Sequence, residues 1–238
     1  MDIKDKVVLI TGASEGIGAA AARRFAEAGA KLSLVARSAD KLEALASELK
    51  AQGVEAIVVT ADLSDAEQAR RAVDETAEHF GRLDVLVNNA GKAAVGQLAD
   101  VDPKHFQEII DLNIIGPLVA MQAAIPIMRS HGGGLIMNVS SVVSKMRIPT
   151  IGAYAATKAA LNVLSDTARV ELAPDNIRVI TMLPRMTATD FASHSIGRTD
   201  LHQRQHTDPS VPVDSAEHVA NRMLEAAINE PEEQYMDR

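Results

Sequence analysis

The chain has 238 residues and a formal net charge of -8 at pH 7. Its length suits one sizeable α/β domain, and its charge argues against a general nucleic-acid or anionic-membrane surface, which needs concentrated Lys and Arg. Apolar residues make up 47% and aromatics 3%, with no Trp and no Cys, so the core must be built from Ala, Val, Ile and Leu, and disulfide or thiolate chemistry is excluded.

The amino terminus, "MDIKDKVVLITG", passes from charged residues straight into a strand-like run, without the long apolar core of a signal peptide. No apolar run of the roughly 18 residues expected of a membrane span is evident. The expectation is a cytoplasmic protein with a small-molecule partner, no nucleic acid and no membrane.

The first predicted strand, "KVVLIT" at 6–11, runs into "TGASEGIG", Thr11 to Gly18, and then into an alanine-rich helix near 17–29 closed by Gly29. Small residues at such a turn let the backbone approach a pyrophosphate, and the helix amino terminus supplies free N–H donors. Gly12, Ser14, Glu15, Gly16, Ile17 and Gly18 are therefore candidate cofactor contacts, although the glycine spacing differs from G-x-G-x-x-G.

The second strand, 31–36, is followed by Arg37. An acidic residue there would accept bonds from a ribose 2′-OH, whereas an arginine accommodates a 2′-phosphate. NADP(H) is thus favoured, with NAD(H) as the alternative. Asp40 and Lys41 read as the start of a helix over 40–52.

A third strand at 55–61 leads into "DLSDAEQ", where Asp62 and Ser64 are candidate caps for a helix at 66–80. The fourth strand, 83–88, ends at Asn88. The next helical stretch, 104–130, contains Asn113 inside an apolar run, either satisfied by local backbone or holding a water that leads to a lysine.

Gly132 to Gly134 approach a fifth strand, 134–140, which ends in "MNVSSVV". A helix over 153–173 then carries Tyr154 and Lys158, and a sixth strand lies at 177–183. From about Met186 to Asp214 the pattern gives way to a long loop or lid, and the tail leaves room for at most a stub of a seventh strand. Such alternation predicts a three-layer, Rossmann-like α/β fold in one domain over 1–238. Its doubly wound parallel sheet carries helices on both faces and binds ligands beyond the carboxyl ends of its strands.

Tyr154 and Lys158 stand at i and i+4 and share a helix face. A free phenol, with a pKa of about 10, is a poor base near neutrality. An ammonium a few Å away favours the phenolate and makes the pair an acid/base unit. A serine hydroxyl of "VSS" can donate to a substrate oxygen beside it.

These residues resemble the short-chain dehydrogenase/reductase family over nearly the whole chain. "TGASEGIG" is similar to its TGxxxGxG turn, "NNAG" at Asn88 to Gly91 to its fourth-strand motif, and "YAATK" to its YxxxK. The family's serine thirteen positions before the tyrosine selects Ser141 over Ser140, and its asparagine about forty before it is Asn113.

The resemblance implies a catalytic tetrad of Asn113, Ser141, Tyr154 and Lys158. Tyr154 is the acid/base, Ser141 polarises the substrate oxygen, Lys158 lowers the tyrosine pKa and binds the nicotinamide ribose, and Asn113 anchors a relay water. It also implies adenine contacts from Asp62 and Leu63, Asn88 along the cofactor and in support of the sheet, and cofactor contacts from Thr187 and Thr189.

Two positions depart from the pattern. Glu15 stands where many NADP-dependent members carry a basic residue, and Arg185 replaces the glycine that usually follows Pro184, so it either reshapes the pocket, meets an anionic substrate or points to solvent. Three histidines in the lid, His194, His202 and His206, lack the acidic partner of a metal site, and no metal is expected.

The implied activity is NAD(P)(H)-dependent interconversion of a secondary alcohol and a ketone, in a homodimer or homotetramer joined through the long apolar helices. A catalytically silent NAD(P)-binding sensor or scaffold is the alternative. A sugar-nucleotide epimerase or dehydratase usually has TGxxGxxG spacing and a longer carboxy-terminal region, and both count against it.

Overall fold

A computed structural model describes residues 1–197 and 212–236. Its central feature is a seven-stranded, wholly parallel sheet: β1 (Val7–Thr11), β2 (Lys31–Ala36), β3 (Ala56–Thr60), β4 (Val85–Asn88), β5 (Gly134–Val139), β6 (Ile177–Leu183) and β7 (Glu233–Tyr235). The strands lie in the order β7-β6-β5-β4-β1-β2-β3. The order reverses at β1, where a crevice opens beyond the strand ends.

Every residue of β1, β4 and β5 is buried, which explains why these strands read as unbroken apolar runs. Helices α1 (Gly16–Glu27), α2 (Ala39–Ala51) and α7 (Ala216–Asn229) pack on one face. Helices α3 (Ala66–Phe80), α5 (Gly116–Ser130) and the carboxyl end of α6 (Gly152–Leu172) pack on the other. Alanines at 19 to 22 of α1 are all buried, so small side chains, not aromatics, set the distance between helix and sheet.

The expected 104–130 helix is interrupted. Helix α4 (Pro103–Ile110) passes through a π-helical turn, Asp111–Ile115, into α5. Pro117 has no amide to offer the Asn113 carbonyl four residues back, and the Gly116 amide reaches Asp111 O instead. Gly116 is needed there: a Cβ would lie 2.2 Å from Leu63 O.

By length and composition, Pro103–Ser130 is long and apolar enough to cross a membrane, contrary to the reading that no such run exists. The apolar side chains of Ala120, Met121, Ala123, Ala124 and Met128 are buried in the core on the sheet's second face.

Two further differences concern caps and ends. The side chain capping α3 is Asp65, which accepts from Glu67 N and Gln68 N; Asp62 Oδ1 instead accepts from the N–H and the hydroxyl of Ser64. Helix α7 was not among the expected helices, although Ser215 caps it by accepting from His218 N and Val219, Ala220, Met223, Ala226 and Ala227 form its buried stripe.

A buried polar chain crosses the second face. Asn88 Nδ2 donates to Asn138 Oδ1 (2.8 Å), and Asn138 Nδ2 donates to Ser165 Oγ on α6 (2.8 Å). It fixes α6, the helix that carries Tyr154 and Lys158, against β4 and β5.

Candidate active site

One cavity of about 410 Å³ lies beyond the carboxyl ends of β2, β1, β4, β5 and β6, walled by Gly12, Arg37, Asp62, Gly91, Ser141 and Tyr154 among others. It coincides with the crevice where strand order reverses.

Its glycine turn follows β1. Gly12 and Gly16 have φ of +67° and +55°, the left-handed region that favours glycine. Gly18 lies inside the start of α1, not on the cavity wall; a Cβ on it would stand 2.1 Å from Gly12 O. Glu15, the residue before α1, makes no side-chain cap bond, so its carboxylate does not occupy the first-turn amides, and these residues fit a dinucleotide pyrophosphate.

Gly12, Ser14, Glu15, Gly16, Ile17, Arg37, Asp62, Leu63, Thr187 and Thr189 all reach the cavity wall. Asn88 does not: it points into the sheet toward Asn138, and Asn89, Ala90 and Gly91 form the wall in its place. Asn88 thus ties β4 to β5, and the cavity wall here is formed by the three residues after it.

Arg37 is 70% exposed and its Nη1 lies 3.9 Å from Asp62 Oδ2. Burial pushes the Asp62 carboxyl up, but the Ser64 bonds and Arg37 outweigh it and hold the group below the usual carboxylate range. Lys41 does more than begin a helix: it lines the cavity and pairs with the Glu15 carboxylate.

At the β5 side, Ser141 and Tyr154 share the cavity wall, Ser141 near enough to the phenol to lower its pKa, and Ser141 Oγ donates to Pro184 O (3.5 Å). Its Oγ also accepts from Val143 N (3.3 Å), capping the short 3₁₀ turn Val142–Lys145. The neighbouring Ser140 also reaches the cavity wall, but its hydroxyl is used within the fold, donating to Lys158 O (3.2 Å). That difference separates the two serines physically.

Asn113 is fully buried and tied on three sides. Its Oδ1 accepts from Lys92 N (3.0 Å), and its Nδ2 donates to Lys92 O (2.9 Å) and to Thr157 Oγ1 (3.0 Å). It links the loop after β4 to the helix carrying the Tyr–Lys pair.

Lys158 has a backbone partner. Its Nζ donates to Val139 O (2.8 Å) and stands 5.8 Å from the Tyr154 ring centroid. Burial lowers its pKa to about 8. The phenol is pushed up by burial, and Ser141 lowers it in part.

Arg185 neither points to solvent nor presents a bare charge. Its Nε and Nη2 form a fork to Asp214 (3.1 and 2.8 Å), a carboxylate only 8% exposed. Phe191, which the sequence reading did not single out, lies on the Tyr154 ring with centroids 5.8 Å apart. His202 and His206 lie outside the described residues, as does the middle of the predicted lid, 198–211.

Residues 6–198 match the short chain dehydrogenase family. The chain is 34% identical over 226 residues to a 3alpha-hydroxysteroid dehydrogenase of Mediterraneibacter gnavus, covering 94% of this chain and 90% of that one. Some curated relatives are longer, and the chain's match spans 58% of their length.

Among solved structures, the L-sorbose reductase of Gluconobacter frateurii complexed with NADPH and L-sorbose has a TM-score of 0.85 at 31% identity, covering 95% of this chain and 92% of that one. A short chain dehydrogenase/reductase of Burkholderia phymatum in complex with NAD has a TM-score of 0.90 at 28% identity, covering 99% and 89%. With its parallel sheet, its glycine turn and a cavity that fits a dinucleotide, the chain belongs to the short-chain dehydrogenase family, as an oxidoreductase that works with a nicotinamide cofactor.

Proposed function

We propose that the protein interconverts a secondary alcohol and a ketone, with Tyr154 as the acid/base and NADP(H) as the preferred cofactor. The observation that carries this reading is that Ser141 and Tyr154 meet on the cavity wall, with Ser141 near enough to the phenol to lower its pKa. Ser141 orients the substrate oxygen and polarises it, while the phenol gives up its proton to that oxygen in reduction or recovers one in oxidation. A bound nicotinamide supplies the hydride chemistry. Lys158, Asn113 and Thr157 hold the helix and the loop that keep the phenol in place.

Val143, Ile148, Ile151, Met186 and Phe191 give the site an apolar wall, which favours apolar ketones and alcohols, 3-oxoacyl thioesters included. The test is substrate-dependent change in nicotinamide absorbance across a carbonyl panel. Tight cofactor binding with no turnover would instead support a silent sensor, a reading motivated by the bond from Lys158 Nζ to Val139 O.

The preference for NADP(H) rests on Arg37 at the cavity edge. Arg37→Ala is expected to weaken NADPH binding roughly 10- to 100-fold, the size of a charge-assisted hydrogen bond, and to leave NADH binding within about twofold. Equal losses for both cofactors, read by titration calorimetry, would remove the basis for the preference.

Val163 and Val170 stand 65% and 75% exposed, seven residues apart on α6, and so on one side of the helix. They support a homodimer or homotetramer joined through this face. Light scattering at micromolar concentration is expected to give at least twice the chain mass, and a monomer contradicts it.

A further inference from the structure

The segment after β6 crosses the cavity and is anchored at both ends of its described part. At its root, Arg185 grips Asp214, Asp214 N donates to Met186 O (2.9 Å), and Thr187–Ala188 pairs with Asp214–Ser215. At the other end, Ile196–Gly197 pairs with Ala94–Val95, and Ile196 N donates to Ala93 O (2.9 Å).

Between these anchors the backbone bonds of Ser193, His194 and Ser195 run back to Asp190, Phe191 and Ala192. They shape the span without tying it to the body. Two contacts there are apolar: Thr189 lies against Gly16, 3.2 Å from where a Cβ would stand, and Phe191 lies on Tyr154. The third is polar: His194 Nδ1 stands 2.9 Å from Glu15 Oε1, while the other oxygen of Glu15 is held by Lys41 on α2.

We propose that Glu15 is a positioning residue that latches the span 189–195 to the cofactor turn through His194, and thereby sets the Phe191 wall over Tyr154. A carboxylate stands in the glycine turn because it is shared between the Lys41 ammonium of α2 and the His194 ring of the strap, and Lys41 compensates its charge toward a phosphorylated cofactor. The consequence for substrate recognition rests on the oxidoreductase reading above; the latch itself does not.

The test is hydrogen exchange of amides 190–195 in the protein without ligand, for wild type, Glu15→Gln, His194→Ala and the double variant. Each single change should speed exchange there roughly two- to fivefold, the size of a half-exposed ion pair. The double variant should be no faster than either single, because both remove one contact. His194→Lys, which keeps a hydrogen-bond donor opposite Glu15, should return exchange to the wild-type rate.

In turnover, His194→Ala should raise the KM for a ketone by about the same two- to fivefold, with kcat falling by less. Unchanged exchange in Glu15→Gln, additive effects in the double variant, or no rescue by His194→Lys overturns the latch. A wild type that binds cofactor but reduces no ketone overturns the oxidoreductase reading alone, and the exchange result then still decides the latch.

Discussion

Tyr154→Phe is expected to lower ketone turnover by roughly 10²- to 10⁴-fold, the range typical of a positioned general acid, while cofactor affinity changes by no more than a few fold. The substitution removes only the hydroxyl. The ring that Phe191 lies on remains, and α6 stays fixed through Asn138–Ser165 and Asn113–Thr157. Burial raises the phenol's pKa above its ordinary value, so Tyr154 is protonated at neutral pH and stands ready as the donor in the reductive direction. Ser141→Ala, which leaves the proton donor in place, should cost less. Full activity in Tyr154→Phe would remove the phenol from the chemistry.

Lys158→Met is expected to stabilise the protein without ligand at pH 7 by about 1–3 kcal/mol. Lys158 is 3% exposed and its pKa falls from 10.5 to about 8 through burial alone. At ~1.4 kcal/mol per pH unit this corresponds to about 3 kcal/mol against the charged form. Losing the bond to Val139 O offsets about 1 kcal/mol of the gain.

Below pH 8 both folded and unfolded chains hold the proton, and the folded state bears the whole burial cost. Between pH 8 and 10.5 the unfolded chain binds more protons, so this residue's contribution to stability rises with pH across that window and levels off above it. The difference in unfolding free energy between Lys158→Met and wild type should therefore shrink from pH 8 to 10.5. A variant less stable than wild type at pH 7 would show that the ammonium is stabilised by its surroundings.

All six long strands were legible to within two residues at either end, because each is a short apolar run buried on the sheet. The Tyr154, Lys158, Ser141 and Asn113 positions were legible through motif spacing, and the structure brings all four together around one cavity wall or directly behind it. What spacing could not give was the state of Lys158, whose partner is a strand carbonyl that carries no signature in residue identity.

Other misses have the same origin. Pro117 and Gly116 are visible in the sequence, but the π turn they produce also depends on how closely Gly116 approaches Leu63 O. In "DLSDAEQ" three side chains can cap, and Asp62 is diverted to Ser64, leaving Asp65 for the helix. Lys41, His194 and Asp214 matter through partners far away in the chain, Glu15 and Arg185, that only the fold brings near. The helix Ala216–Asn229 is different: its Ser215 cap and apolar period were present in the sequence and would have identified it.

The most direct measurement of the central claim is rapid mixing of the protein and NADPH with an apolar ketone panel while nicotinamide absorbance is followed, for wild type and Tyr154→Phe side by side. Wild type should oxidise NADPH in step with the alcohol formed from at least one ketone, and Tyr154→Phe should do so at least about 100-fold more slowly. NADPH bound by both proteins and oxidised by neither, or by both at equal rates, would contradict it.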